Sequence, residues 1–153
     1  MLRRTGNPLA ATNGEQVWTA DQFYGQNFNK TREEIISQRR TRGWFSSQPG
    51  GPARRYVQDP LSGAVIDMRH MLIIGRLGSE GVGDAVENLQ WLMGKPSGRN
   101  PQDYFSNDLG DAFYNHYYDP SGNFGVQLNN FLYDPKFLYI RKIHYERNGI
   151  PFP

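Results

Sequence analysis

Asp67 and His70 stand three residues apart inside residues 65–77, the most apolar stretch of the chain. Read as a helix, that stretch puts the two side chains on one side and within reach of each other, while Arg69 and Arg76 point elsewhere. A carboxylate and an imidazole buried together cost free energy unless they satisfy each other or hold a ligand. Two kinds of chemistry fit the pair. Asp67 orients and charge-stabilises His70 as a general base, or both residues ligate a metal. The structural alternative is an Asp–His tie between the helix and neighbouring backbone.

A second polar group follows the rigid Asn100-Pro101 turn, where residues 103–111 bring together Asp103, Ser106, Asn107, Asp108 and Asp111. Capping of a helix start accounts for such residues without any ligand. The functional version makes Asp103 a partner of Asp67 and His70 across a cleft. It gives either a carboxylate pair for glycoside cleavage or an Asp–His–Asp metal site. The catalytic set is therefore Asp67, His70 and Asp103, with Ser106, Asn107, Tyr104 and His116 on the substrate side. The cofactor is unknown from the sequence, and no metal is assigned to the set. His116 lies among Tyr114, Tyr117 and Tyr118, and His144 beside Tyr145. Either supplies the second histidine of a metal-independent ribonuclease, although histidines flanked by aromatics more often pack than react.

The elements that must position these residues are short. Thr31 and Glu34 have the spacing of a capping box ahead of Ile35 and Ile36, which predicts a helix over 32–41. Residues 44–52, with Pro49 and Pro52, are a loop. Residues 55–58 and 64–66 flank Asp59-Pro60-Leu61-Ser62-Gly63 and predict a β-hairpin. A central helix over 65–77 is expected to bury Ile66, Met71, Ile73 and Ile74 against a helix at about 82–93. Ser106 is expected to cap a third helix running to Tyr118, a fourth spans 125–133, and the tail 137–145 is assigned to a strand. The fold class is mainly α: a compact bundle of short helices with a small β-hairpin. Residues 1–17 read as a flexible arm or linker and 18–153 as a single globular domain.

Composition narrows the function classes. The 153 residues contain no cysteine, which removes disulfides, a thiolate nucleophile and Cys-ligated zinc. No apolar run approaches the roughly 20 residues of a membrane helix, so no membrane insertion is expected. Phosphate loops, His-Glu-x-x-His and Gly-x-Ser-x-Gly are absent from the sequence. The net charge is +2, with nine Lys/Arg against five Asp/Glu in residues 1–60 and four against six in 61–110. A candidate site in the acidic middle section is poorly placed to hold a polyanion. Aromatic residues are plentiful at 14%, enough either to build a core or to line a sugar- or base-stacking groove.

Residues 59–71 and 96–110 together resemble an uncharacterised domain at the C-terminal tips of Rhs-type polymorphic toxins. The family pattern runs Asp-Met-x-His-Phe and then Pro-x-Asp-Leu-x-Ser-Asn-x-x-Gly. The chain matches it at Asp67, Met68, His70, Pro101, Asp103, Ser106, Asn107 and Gly110, with Met71 in place of Phe and Tyr104 in place of Leu. The likeness covers about residues 60–130. It implies an antibacterial effector that is secreted or delivered into a target cell, with an immunity protein as partner. If the domain is an enzyme it is a hydrolase, with the cell wall ahead of nucleic acid as substrate. A ribonuclease-type toxin and a non-catalytic interaction or structural module are the rival readings. Asp67, His70 and Asp103 are expected to converge within roughly 8 Å, with Ser106 or Asn107 at the rim. An open pocket there favours catalysis or metal binding, and a sealed one favours a structural pair.

Overall fold

The computed structural model of the chain describes residues 7–10, 12, 14–39, 50–75 and 100–153, and the architecture is that of these residues. It is mainly helical with a small three-stranded sheet. The helices are α1 (Ala20–Asn27), α2 (Arg32–Ile36), α3 (Pro101–His116), α4 (Phe124–Tyr133) and α5 (Leu138–Arg147). The strands are β1 (Val17–Trp18), β2 (Tyr56–Gln58) and β3 (Val65–Asp67), and a π-helical turn covers His70–Ile74. Strand order is β1-β2-β3, with β1 parallel to β2 and β2 antiparallel to β3. Among the described residues no helix is long and apolar enough to cross a membrane.

Local chemistry explains most boundaries. Thr31 and Glu34 form the expected capping box, yet α2 ends at Ile36, five residues short of the predicted end. The backbone of Ile36 and Arg39 instead bonds across to Gly50 and Gly51, which draws the chain out of the helix. The expected central helix over 65–77 begins as a strand. Val65 and Ile66 are β-branched and pair in register with Gln58 and Val57, and only after Asp67 does the chain turn helical. Ile66 and Met71 are fully buried and Ile73 nearly so. The side chain of Ile74 and the expected helix at about 82–93 lie outside the described residues.

The third helix starts earlier than its carboxylates suggested. Asn100 is its N-cap in a reciprocal box with Asp103, and Pro101 occupies the first turn. Asp108 and Asp111 therefore sit in mid-helix, and Ser106 is not a cap. The tail expected as a strand is helix α5. It buries Ile140, Arg141, His144 and Tyr145, a spacing of one helical face that a charged Arg141 disguises in the sequence. Arg141 is fully buried because Asp59 accepts from its Nε at 3.0 Å and its Nη2 at 2.8 Å, while the carbonyls of Phe137 and Leu132 take further donors. Residues 7–10 do not behave as an arm: Leu9 is wholly buried in the core.

The aromatic surplus goes mainly into that core. Phe113 has Phe131 edge-on with ring centres 5.3 Å apart and Phe124 at 5.6 Å, with Tyr114, Tyr117 and Tyr118 around it. On a neighbouring face of α3, Gly110 meets the π-turn backbone to backbone. A Cβ on Gly110 would lie 2.2 Å from the Met71 carbonyl oxygen, and one on Gly75 would lie 2.7 Å from the Gly110 Cα. Asp103, Ser106, Asn107 and Gly110 follow the i, i+3, i+4, i+7 rule of one helix face, so this contact fixes that face against His70. Gly110→Ala is expected to force the two segments apart and to cost about 3 kcal/mol, read as a lowered urea midpoint.

Candidate functional site

Asp67 ends β3, His70 opens the π-turn three residues later, and Asp103 lies in the first turn of α3. Each is about 1% exposed. One ligand atom from each side chain lies within 4.8 Å of the other two. His70 Nε2 is 3.3 Å from Asp103 Oδ1 and 4.0 Å from Asp67 Oδ2. The expected convergence is therefore present, and the three side chains are buried, the outcome that favours a structural pair over an open catalytic pocket. π-Turns recur at functional sites, and here His70 is the first residue of one.

The remaining polar atoms are tied off by neighbours. Arg55 donates from Nε to Asp67 Oδ1 at 3.1 Å and from Nη2 to Oδ2 at 2.9 Å, and the Arg69 backbone N–H adds a bond to Oδ1 at 3.0 Å. Ser106 Oγ accepts from the Asp67 backbone N–H at 2.9 Å. Asn107 Oδ1 lies 3.3 Å from His70 Nδ1 and accepts from it when that nitrogen carries a proton. Asp103 Oδ2 accepts from the Asn100 backbone N–H at 3.2 Å. Asp103 Oδ1, in contrast, is buried and has no hydrogen bond among the described residues. Its 3.3 Å approach to Nε2 is an ion-pair distance without hydrogen-bond alignment.

Burial opposes the charge of Asp67, but the Arg55 hydrogen bonds and charge outweigh it, with His70 and the Arg69 N–H adding to them, so the carboxyl titrates below its ordinary range. Burial likewise opposes the Arg55 charge, and Asp67 reverses that and holds the guanidinium above its usual value. The Tyr56 phenol beside the pair is pushed up to about 12, by burial first and by the Asp67 charge second. Outward from Arg55, Glu15 Oε2 is 3.9 Å away, and Glu15 also pairs with Arg39. A line of alternating charge thus runs from the surface to the cluster.

No family model, curated protein or solved structure matches the chain. What the site can do is therefore argued from its own atoms. An imidazole between the two carboxylates occupies the space in which a sugar ring would have to lie, so the pair does not suit glycoside cleavage by two carboxylates. The three side chains instead bring one potential ligand atom each within 4.8 Å of the others.

Two of the expected substrate residues are elsewhere. Tyr104 is 47% exposed and lines a shallow groove with Pro101, His144 and Arg147. It follows Asp103 directly, and one step of about 100° around a helix turns it away from the cluster. His116 is exposed at the far end of α3, roughly 20 Å along the axis from Asp103 at 1.5 Å per residue. It shares an open cleft with Asp108, Asp111, His144 and Arg147, in which His144 Nε2 meets Asp108 Oδ2 at 2.6 Å. Arg32 turns inward and donates to Tyr114 Oη and the Leu72 carbonyl.

Arg55 and Asn100 are the site residues that sequence reasoning missed. The signal for Arg55 was its place just before β2, opposite Asp67 once the strands are paired. Because the folded pKa of Asp67 lies below the unfolded value near 3.9, its contribution to stability is full above about pH 4 and is lost as pH falls through the folded value. Asp67→Asn is expected to lower stability at pH 7 by about 3–5 kcal/mol, because it strands Arg55, and to flatten the loss as pH falls below about 4. Urea unfolding of both proteins across that range measures it.

Proposed function

We propose that the chain is an antibacterial effector domain that hydrolyses the bacterial cell wall, with Asp67, His70 and Asp103 as the centre that activates the attacking water. The observation that carries this reading is the convergence of Asp67, His70 and Asp103, one potential ligand atom of each within 4.8 Å of the others, with Asp103 Oδ1 left without a hydrogen bond among the described residues. A water at that point gives its proton to the cluster as its oxygen bonds to the carbonyl carbon of a peptide crosslink. The proton then returns to the leaving nitrogen as the C–N bond breaks. A peptide crosslink is preferred over a glycan because the imidazole stands between the carboxylates. It is preferred over nucleic acid because the Arg55 guanidinium is already committed to Asp67 and is not offered to a polyanion.

One observation favours a second reading. At about 1% exposure for all three residues, the cluster is also a well-made internal tie between β3, the π-turn and α3, which is what a non-catalytic module would keep. The two readings separate in one set of measurements on wild type, His70→Ala and Asp103→Asn: toxicity on expression, digestion of purified peptidoglycan and of RNA, and thermal melting. Hydrolysis of peptidoglycan is expected, falling at least ~100-fold in both variants while the melting temperature moves by only a few degrees. Loss of stability in step with loss of toxicity gives the structural reading, and digestion of RNA alone gives the ribonuclease.

A further inference from the structure

Arg39, Arg55 and Arg69 act on one another beside the cluster, and only the first two have a carboxylate partner among the described residues. Arg55 is held by Asp67, and Arg39 by Glu15, which also approaches Arg55 at 3.9 Å. The Arg69 backbone N–H donates to Asp67 Oδ1. Its guanidinium, in contrast, has no hydrogen bond or ion pair among the described residues, and its Nε is buried. We infer that Arg69 is a carboxylate-binding site, and that the group it takes is a free carboxylate of the peptide substrate. Its place in turnover rests on the reading of the neighbouring cluster as a hydrolytic centre, whereas the binding itself is tested separately.

Two independent observations point to a ligand rather than to a solvated surface arginine. The first is the buried Nε–H, a donor that gains free energy only from an acceptor brought to it. The second is the charge around the side chain. Burial lowers the Arg69 pKa most, the Arg55 and Arg39 charges lower it further, and Asp67 opposes them in part. With Glu15 and Asp67 set against three arginines, one positive charge is left over among these residues, and a single anion neutralises it. The side chain is also pre-set. Gly51 has φ +101°, and a Cβ there would lie 3.1 Å from Arg69 Cγ, so the stem rests on the Gly51 main chain. That main chain is tied in turn to the Ile36 carbonyl and the Arg39 N–H. A guanidinium held in this way loses less rotamer freedom on binding than a free surface arginine. Its fork matches a planar carboxylate through two parallel N–H···O bonds, whereas a phosphate dianion brings more charge than the surroundings offset. Arg69 is partly exposed and directly precedes His70, so a ligand can reach it and is brought to the edge of the cluster.

The test uses the whole chain, with arginine Nε–H groups observed by ¹⁵N spectroscopy. It is titrated with an N-acetylated dipeptide ending in a free carboxylate, with the same dipeptide amidated, and with inorganic phosphate. The free carboxylate should shift the Arg69 Nε–H signal and bind at least ~10-fold more tightly than the amide, and Arg69→Gln should lose that difference. Because a variant can fail to fold, the wild-type Nε–H signal is the primary readout. In turnover, Arg69→Gln should raise KM by ~10-fold or more with kcat nearly unchanged, on peptides with the carboxylate free and not on amidated ones. Equal binding of carboxylate and amide by wild type overturns the inference, and hydrolysis of peptidoglycan by that same protein leaves the hydrolase standing. Preference for phosphate over the free dipeptide overturns it in favour of a phosphate site. Carboxylate binding by a protein that hydrolyses nothing supports the site and removes the enzyme.

Discussion

The ion pair between Arg55 and Asp67 is the interaction on which the cluster depends. A lone carboxylate at the buried end of β3 would neutralise itself by taking up a proton, and it would then neither orient His70 nor attract a cation. Arg55 prevents this with two hydrogen bonds and a full charge. The sheet puts it there: Tyr56 pairs with Asp67 in register, so the residue before β2 is delivered beside the residue that ends β3. A slip of one residue in that pairing would turn Asp67 to the other face and leave two buried charges without partners.

The described residues contain two buried Arg–Asp pairs, and their difference separates structure from site. Asp59 and Arg141 close on each other completely: Ser62 Oγ donates to Asp59 at 2.5 Å, and the remaining guanidinium donors reach carbonyls of Phe137 and Leu132. That pair joins α5 to the turn between β2 and β3, and both Asp59 oxygens are engaged within the protein. The Asp67 pair is satisfied on its Arg55 side only. Beyond it lie His70 and an Asp103 oxygen with no hydrogen bond among the described residues, so the polar network continues to a point that those residues do not complete.

How much of this was legible in the sequence followed from the range of each signal. The capping box at Thr31, the helix stop at Asp134-Pro135 and the apolar pattern of α4 are local, and local chemistry fixed them. Asp67, His70, Asp103, Ser106 and Asn107 were recognisable because polar residues at buried-looking positions are conspicuous, and all five make or support the cluster. The readings that failed involved partners distant in sequence. Val65 and Ile66 look helical until β2 supplies their bonding partner. The tail looks like a strand until Asp59, 82 residues away, neutralises Arg141. Tyr104 was drawn to the site by sequence adjacency, which on a helix means pointing elsewhere. Arg55 carries no local mark of its role.

The close backbone packing of Gly75 and Gly110 bears directly on how the cluster can work. With no side chain between them, the π-turn and α3 touch backbone to backbone at Gly75 and Gly110, which holds the two elements that carry His70 and Asp103 against each other. The same rigidity restricts what else the cluster admits: a proton or a small ion fits between the three side chains, while a bulkier group would have to pry apart segments that touch through their main chains. Any larger reactant must then meet the cluster at its margin, through a water or ion held inside, rather than displace its members.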